Sequence, residues 1–463
     1  MSIYRGCVYI FIYLILLCAN ISTFSATIDV PADRPTIQSG IDAAKNGDTV
    51  LIADGIYRGE GNVNIDFKGK QITVKSQSGA ETTIIDCEKK PETRGFTFHN
   101  KETNNSILDG FTIKNGLHEK GGGIYCDFAS PTIKNCVITE NQAGDPADYS
   151  GYGGGIYFYN SSAIIEKCVI TNNLVGSRFG GGGVYLTGEW VGQNDIAKPT
   201  LINCTISENT GTGISSWWRV IVVIRGCTIS KNSGRGVVCA EFSPGINLIT
   251  NSRIEQNRDG GVEVSGATAL KITESTIRQN TAKSGGGISC SRTSTIDISE
   301  CIIAENTATA WGGGLDIESW SGKATITHCT ITQNTSGKMG GGIYFSSTPS
   351  TRLTLTLTDS IVWGNKSDGA FAEVALGGNK IVIRSCDIGG GLEGIGREVD
   401  EDRLIYEDNI DADPLFVDAD RGDYRLKPNS PAAAMGVQST LGGALSVTSV
   451  GKRLVKWGEL KRK

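Results

Sequence analysis

The fold is decided by a stretch that recurs along the chain with small changes. It reads GGGIYCDFASPTIKNCVITEN at residues 121–141, GGGISCSRTSTIDISECIIAEN at 285–306 and GGGLDIESWSGKATITHCTITQN at 312–334. Each copy opens with glycine, continues with alternating apolar residues, and closes with Cys, followed five residues later by Asn. Alternation with a period of two predicts strands, and glycine between strands predicts tight corners.

The closing half of this unit, a Cys, Ser or Gly with Asn five residues later, occurs ten times. The pairs are Gly110 with Asn115, Cys136 with Asn141, Cys168 with Asn173, Cys204 with Asn209, Cys227 with Asn232, Ser252 with Asn257, Ser275 with Asn280, Cys301 with Asn306, Cys329 with Asn334, and Ser360 with Asn365. The shortest Asn-to-Asn separation is 23 residues, so longer spacings contain insertions. A unit this short cannot bury its own apolar face and must stack on its copies.

Stacked two- or three-strand units without helical segments predict an all-β, right-handed parallel β-helix. We expect a solenoid of about 10–12 coils, with strands about 4.8 Å apart along the column. The inward positions of the strand after the glycine corner should form the core, and the Asn column an internal hydrogen-bonded ladder. A leucine-rich repeat is excluded because its leucine pattern and helical segment are missing.

The chain divides into five predicted segments. Residues 1–25 form a signal peptide, 26–110 an N-terminal cap and first coils, 111–395 the repeats, 396–436 a C-terminal turn-rich cap, and 437–463 a basic tail or linker. The N-terminal cap should contain a helix within Pro35–Asn46, where Ile37, Ile41 and Ala44 share one face. No later segment has the apolar length of a membrane span.

Two segments carry a family resemblance. Residues 28–86, which begin IDVPADRPTIQSGIDAAKNGDTVLIADGIYRG, and residues 413–436, DPLFVDADRGDYRLKPNSPAAAMG, resemble the opening and closing pieces of secreted bacterial β-helix proteins of the pectin-lyase-like superfamily. The repeats are similar to those of polymorphic outer membrane proteins, with Ile138 and its copies in place of Phe in an F-x-x-N motif. The resemblance implies the fold and export; that superfamily is functionally mixed, so it implies no single chemistry.

Composition limits the partners. The formal net charge is −5 and no basic block precedes the last dozen residues, which argues against nucleic acid. The three His are far apart, so no His-rich metal site is expected. We predict no cofactor, with Ca²⁺ as the alternative. Several Cys share one register slot with Ser, which predicts that they are buried packing residues with free thiols. Disulfides remain the alternative that the sequence leaves open.

Aromatic residues suggest where a ligand would bind. Tyr157, Tyr159, Tyr185 and Trp217 occupy outward positions of the strand after the glycine corner. Flat aromatic rings can stack on the C–H faces of sugars, although the same rings can simply rigidify a strand face. Further Trp residues mark other rungs: Trp190, Trp218, Trp311, Trp320 and Trp363.

Acidic residues on the same strand column suggest a catalytic alternative. Asp316 and Glu318 are two residues apart and share a face, and Glu263 lies in the Asp316 column two rungs away. These separations overlap those of inverting glycosidases, and clustered carboxylates raise one another's pKa. The same residues could hold Ca²⁺ for a lyase that uses Arg292 as base. Ordinary solvated acids on a strand face are the competing interpretation.

Three functions follow from this reading. The first is an exported bacterial protein, secreted or on the cell surface, that binds a polysaccharide or cell-surface glycan without catalysis. The second is a polysaccharide lyase or glycoside hydrolase that uses the acidic residues, although the motifs typical of polygalacturonases and mannuronan epimerases are absent. The third is a structural spacer. We expect a monomer with no membrane span after signal removal. The sequence does not identify the glycan or show whether the tail leads to a sorting module.

Overall fold

The repeated units form successive turns of a right-handed parallel β-helix in the computed structural model. The structure describes residues 25–145, 147, 150–177, 180–189, 196–319, 321–346, 352–377, 380–397 and 403–437. Three long parallel sheets run along the column, and one strand from each makes up a rung. The predicted fold is confirmed, with about 12 turns. The predicted signal peptide and most of the tail lie outside the described residues.

Sheet A begins the rung, ahead of the Cys or Ser turn. It has 15 strands in the described chain: Thr27–Val30, Thr49–Ile52, Thr73–Ser76, Ile107–Asp109, Thr132–Lys134, Ile164–Glu166, Thr200–Ile202, Val223–Arg225, Ile246–Thr250, Ala269–Thr273, Thr295–Ser299, Ser321–Thr327, Arg352–Thr358, Lys380–Arg384 and Leu404–Glu407.

Sheet B lies between the Cys or Ser turn and the Asn turn. Its 13 described strands are Gly55–Tyr57, Thr83–Asp86, Thr112–Lys114, Val137–Thr139, Val169–Thr171, Thr205–Ser207, Thr228–Ser230, Arg253–Glu255, Thr276–Arg278, Ile302–Ala304, Thr330–Thr332, Ile361–Trp363 and Asp387–Ile388.

Sheet C follows the glycine corner and carries the predicted site residues. Its 13 described strands are Ile65–Asp66, Phe96–Phe98, Ile124–Asp127, Ile156–Tyr159, Gly181–Thr187, Thr212–Trp217, Val237–Ala240, Val262–Ser265, Ile288–Arg292, Leu315–Ser319, Ile343–Ser346, Val374–Gly377 and Ile395–Arg397. Glycine is required at the corner because a Cβ on Gly123 would lie 2.7 Å from the carbonyl oxygen of Gly155.

Short two-residue strands extend some of the corners between sheets B and C. One group of three is Leu117–His118, Gln142–Ala143 and Leu174–Val175, and one group of four is Thr281–Ala282, Thr307–Ala308, Thr335–Ser336 and Lys366–Ser367. Inside the column, the apolar side chains of all three sheets form one continuous core, and residues such as Ile138, Phe158 and Ile317 are almost fully buried.

The predicted Asn ladder is present. From Asn141 to Asn334, each side-chain amide nitrogen donates to the Oδ1 of the Asn on the next rung at 2.9–3.0 Å. The same amides donate to a carbonyl of the preceding rung, as Asn257 does to Ile229 at 3.1 Å. The ladder ends on the side chain of Glu373, whose Oε2 accepts the amide N–H of Asn365 at 2.6 Å. These contacts satisfy backbone groups that the turn would otherwise leave unpaired.

The earliest predicted copy of the ladder is wrong by one position. Gly116, not Asn115, takes the ladder register, since its backbone N–H donates to Oδ1 of Asn141 at 2.9 Å. Asn115 adopts a left-handed conformation with φ of 60° and donates to Asp86 at 2.7 Å. The misassignment arose because Asn is favoured both in the ladder and in the left-handed turn before it.

The Cys and Ser slot is a packing and hydrogen-bonding column. All eleven cysteines of the described residues are buried and free. Cys and Ser interchange there because either can accept a backbone N–H from the preceding rung, as Cys227 does from Cys204 and Ser252 from Cys227.

The segments at the two ends of the described chain pack on the column in different ways. Helix α1, Ile37–Ala43, packs Ile37 and Ile41 against the first rung, and Thr36 caps it through a reciprocal hydrogen-bond pair with Ser39. Near the C-terminus, the antiparallel pair Phe416–Asp418 and Asp423–Leu426, joined by a 3₁₀ turn at Ala419–Arg421, folds back along the outer face of sheet B.

Candidate functional site

Two outward columns of side chains run along sheet C. The strand pairings place Tyr125, Tyr157, Tyr185 and Ser215 in the first column, next to one another on successive rungs. The second column lies two residues further along each strand and contains Tyr159 and, two rungs on, Trp217. The sequence placed these positions on the outward face, and the register agrees.

The first column is a closed stack of tyrosines. Tyr157 packs between Tyr125 and Tyr185, with 5.6 Å between ring centroids on each side and interplanar angles of 10° and 12°. Arg94 covers the Tyr125 ring at 4.6 Å, and Tyr152 packs on Tyr185 at 4.9 Å. Only 6% of Tyr157 and 8% of Tyr185 is accessible. Their faces are therefore occupied by protein, and ligand contact through these two rings stays a prediction.

Burial of this column alters its electrostatics. Burial raises the pKa of Tyr157 and Tyr185 well above the ordinary range, and it raises the pKa of Tyr125 to about 12. Burial also lowers the pKa of the Arg94 guanidinium to about 10. The tyrosines therefore stay neutral at physiological pH, and they pack on one another as a closed stack.

Tyr159 and Trp217 of the second column and three residues just beyond the strand ends form what we define as the aromatic edge: Phe128, Tyr159, Trp217, Trp218 and Phe242. Tyr159 and Trp217 are partly exposed, while Phe128 is 41% and Phe242 51% exposed. Phe128 packs edge-on against Tyr159 at 5.3 Å, and Trp218 stacks on Phe242 at 6.1 Å. The edge spans four rung steps, or roughly 19 Å.

A hydrogen bond orients one ring of the aromatic edge, and carboxylates lie near another. The indole N–H of Trp217 donates to the buried hydroxyl of Ser215 at 2.7 Å, which orients the ring. Burial raises the pKa of Tyr159, and the carboxylates of Glu189 and Asp127 add to that rise. The edge therefore combines apolar ring surface with nearby hydrogen-bond acceptors.

The three predicted acids do not form one open cluster. Asp316 is 5% exposed, and its Oδ1 has no hydrogen-bond partner among the described residues. Burial raises the pKa of Asp316 to about 8, Glu318 adds to the rise, and Arg235 opposes it. Glu318 is exposed. Glu263 lies two rungs from Asp316, as expected, but it is bound by Arg235 at 2.8 Å.

The structure bears differently on Arg292, the predicted base, and on the predicted Ca²⁺ site. Arg292 forms a 2.6 Å ion pair with Glu241, so a carboxylate already engages its guanidinium. Within the described ranges, no group of three or more His, Cys, Asp or Glu side chains is arranged to hold a metal ion. Ca²⁺ binding through Asp316 and Glu318 stays a prediction.

Sequence reasoning missed the exposed ends of the edge. Phe128 and Phe242 occupy left-handed turn positions with φ of 47° and 56°, just after their strands. Strand alternation alone gives no signal for such turn residues. Trp190 and Trp320, singled out from the sequence, lie outside the described residues. No helix in the described part of the chain has the length and apolar character needed to cross a bilayer.

The comparisons with known proteins agree with this architecture. The family model "Right handed beta helix region" matches residues 44–189, 122–284 and 182–356, which together cover more than half of the chain. The protein therefore belongs to the right-handed β-helix family. A search of curated protein sequences found no match.

Solved structures are similar to this chain at low sequence identity. The A-module of the Azotobacter vinelandii mannuronan C-5 epimerase AlgE6 is similar with a TM-score of 0.51 and 15% identity, over 82% of this chain and 94% of that one. The AlgE4 A-module from the same organism has a TM-score of 0.49 and 16% identity, over 78% and 96% of the two chains. The Streptococcus pneumoniae surface adhesin PfbA has a TM-score of 0.37 and 12% identity, over 81% and 84%. The likeness to the AlgE6 A-module shows a common fold.

Proposed function

We propose that this protein binds polysaccharide along the aromatic edge of sheet C without cleaving it. The observation that carries the proposal is a set of wholly or partly exposed rings along sheet C, with Phe128 and Tyr159 at one end and Trp217, Trp218 and Phe242 at the other. Groups of exposed apolar side chains on a protein surface often mark ligand or partner sites. Sugar C–H faces match such rings, and sugar hydroxyls can donate to the flanking carboxylates of Asp127 and Glu189.

Preorganisation favours binding by this edge. The tyrosine stack lies beside it on the same strands, and Ser215 holds Trp217 in place, so little side-chain entropy is lost when a ligand docks. The spacing of about 4.8 Å per rung offers repeated contacts to an extended chain. We further propose that the protein acts outside the cytoplasm, as a monomer, after removal of the leader predicted at residues 1–25.

Affinity electrophoresis through gels that contain soluble polysaccharides tests this proposal. The panel should include neutral glucans and xylans together with mannuronan, the polymer named for the AlgE6 enzyme. Phe128→Ala and Tyr159→Ala should each weaken retardation by roughly two- to tenfold. Phe371→Ala is a matched control, because Phe371 is also 41% exposed and left-handed but lies outside the edge.

Two results would count against binding at the edge. Wild-type protein that migrates unretarded through every gel would remove the function itself. Equal loss of retardation in the Phe128 and Phe371 variants would show that the effect is general surface apolarity. If the wild-type protein cleaves a polysaccharide in these gels instead of being retarded by it, the result would support the enzyme described next.

The second candidate is an acid–base enzyme that acts on a polysaccharide through Asp316, Glu318 and Glu263. One observation favours it: Asp316 is buried without a partner for Oδ1, and its pKa is raised to about 8. A carboxylic acid that keeps its proton at neutral pH beside an exposed carboxylate is an arrangement that general acid catalysis uses.

Product analysis tests this enzyme proposal. Incubation with each polysaccharide, with added Ca²⁺ or with a chelator, should yield unsaturated ends for a lyase or new reducing ends for a hydrolase. Asp316→Asn and Glu318→Gln should then each lower kcat by at least about tenfold while far-UV circular dichroism is unchanged. A calcium-independent activity that survives both substitutions would place the chemistry elsewhere.

A further inference from the structure

Residues 410–437, which we call the closing segment, lie along the outer face of sheet B. Tyr424 of this segment packs with Ile302 of the sheet. Further along, the backbone N–H of Gly436 donates to the carbonyl oxygen of Asp359 at 2.8 Å. The segment therefore covers a part of sheet B that would otherwise face solvent.

The burial of one outward column of sheet B changes where this cover begins. Its members on earlier rungs are partly or wholly exposed: Val137, Val169, Thr205 and Thr228. The same column continues through five residues that are all buried: Thr276, Ile302, Thr330, Ile361 and Asp387. Position in the column does not by itself bury a side chain, so we attribute the burial of Asp387, which is 0% exposed, to the closing segment.

Asp387 lies where the closing segment leaves the last strand of sheet B. Its Oδ1 accepts the backbone N–H of Ala412 at 3.2 Å, and the backbone N–H of Ile410 donates to the carbonyl oxygen of Cys386 at 2.9 Å. Oδ2 of Asp387 is buried and has no hydrogen-bond partner among the described residues. Burying a charged oxygen without a donor is unfavourable, so docking of the segment opposes the ionisation of Asp387.

The charged groups that act on Asp387 are acidic. Asp411 and Asp413 of the closing segment both raise the pKa of Asp387. The carboxyl group of Glu373, which ends the Asn ladder, is also close, because Asp387 contributes to the raised pKa of Glu373. A negative charge on Asp387 would therefore meet further carboxylates as well as an apolar surrounding.

Other titratable groups nearby do not compensate such a charge. Burial raises the pKa of Cys386 to about 12 and raises the pKa of Tyr406, so both side chains stay neutral at neutral pH. Arg384, the basic residue nearest to Asp387 in sequence, is paired with Glu407 at 2.9 Å. Two lysines share a cleft with Asp413 without being among the groups that shift the pKa of Asp387 in the described chain: Lys366 and Lys427.

The direction of the pH effect follows from this environment. Burial is the largest cause that raises the pKa of Asp387 from 3.8 to about 6. A carboxyl group with a raised pKa in the docked state stabilises that state fully below its ordinary pKa, and this contribution is lost as pH rises through the raised value. Docking of the closing segment should therefore weaken between about pH 4 and pH 6 and change little above that range.

We propose that Asp387 makes the docking of the closing segment on sheet B pH-dependent, so that the segment is held tightly in acid and loosely at neutral pH. Loosening uncovers Ile302 and Ile361, which are apolar side chains that the docked segment buries. This inference goes beyond the proposed function, because it concerns sheet B and uses no residue of the aromatic edge.

Hydrogen exchange read by mass spectrometry at about pH 4 and pH 7, with each rate divided by the intrinsic chemical rate at that pH, tests the proposal. Protection of wild-type peptides from residues 410–437 should fall at least about tenfold from the lower to the higher pH, whereas peptides from residues 132–173 should keep their protection. Asp387→Asn keeps an acceptor for Ala412 but cannot ionise, so it should remove most of that fall. Asp297→Asn, on sheet A, is the matched control and should behave as wild type.

A second variant separates Asp387 from its acidic neighbour. Glu373→Gln should keep most of the fall in protection of the closing segment. Equal wild-type protection at the two pH values, an undiminished fall in Asp387→Asn, a fall abolished by Glu373→Gln, or the same fall in the peptides from residues 132–173 would each overturn the proposal. If Asp387→Asn fails to fold, the wild-type profile and Glu373→Gln still decide the question.

Discussion

Removing one amide from the middle of the Asn ladder should destabilise the column locally and strongly. Asn257 makes four hydrogen bonds through its side chain. Its Oδ1 accepts the backbone N–H and the side-chain amide of Asn232 at 3.1 and 3.0 Å, and its amide donates to the carbonyl of Ile229 at 3.1 Å and to Asn280 at 3.0 Å. Asn257→Ala removes all four bonds at a fully buried position.

The magnitude follows from what is left unpaired. Oδ1 of Asn280 still accepts the backbone N–H of residue 257, and the amide of Asn232 still donates to Ile206. The backbone N–H of Asn232 and one of its amide hydrogens lose their acceptor. Two orphaned buried donors at roughly 1–3 kcal/mol each, with some relaxation, make a loss of about 3 kcal/mol.

Hydrogen exchange read by mass spectrometry is the appropriate assay, because each coil contacts mainly its neighbours and the loss should stay local. Peptides that span residues 228–280 should lose protection, and those from the first rungs should not. Arg258→Ala is the control, since Arg258 is the exposed neighbour and its substitution should change stability by less than about 0.5 kcal/mol. Equal protection in the two variants would refute the assignment of stability to the ladder.

Three further predictions concern other buried groups. Burial raises the pKa of Glu373 from 4.5 to about 7, so the folded state prefers the protonated acid, and the stability of the wild-type protein should fall as pH rises from 4.5 to 7. At pH 8, Glu373→Gln should be more stable than wild type by up to about 3 kcal/mol. A urea titration that finds no difference in stability between the two proteins at pH 8, or a difference that does not shrink toward pH 4, would contradict this. All eleven described cysteines are free, and burial raises the pKa of Cys239 and Cys290 to about 12. Native protein should therefore resist alkylation, whereas unreduced denatured protein should take up one label at each of the eleven cysteines. An intact mass that shows fewer labels would reveal a disulfide. Tyr424→Phe should weaken the packing of the closing segment on the column by about 1–2 kcal/mol, because it removes the Tyr424 hydroxyl contacts with Glu305 and Gln333. Proteolysis within residues 413–437 should then be faster, with the column itself intact. Unchanged cleavage rates would show that apolar packing alone holds the segment.

Much of the candidate site could be placed from the sequence because strand alternation decides which side chains point outward. Tyr159 and Trp217 lie where the pattern put them, and Glu263 and Asp316 share a column. The pattern does not report what covers an outward side chain. Tyr157 is enclosed by its neighbours, and Glu263 is bound by Arg235, because residues from other parts of the unit pack over the strand.

The sequence by itself determined the β-helix, since a period-two unit of 23 residues with a glycine corner can bury its apolar face only by stacking. It also determined the Asn ladder and the interchange of Cys with Ser, which repeat in register. Only the tertiary structure decided that Gly116 takes the first ladder position, that Asp316 is buried without a partner for Oδ1, and that the closing segment lies on sheet B beside Trp363. Those features depend on contacts between residues that no repeat relates, so periodicity carries no information about them.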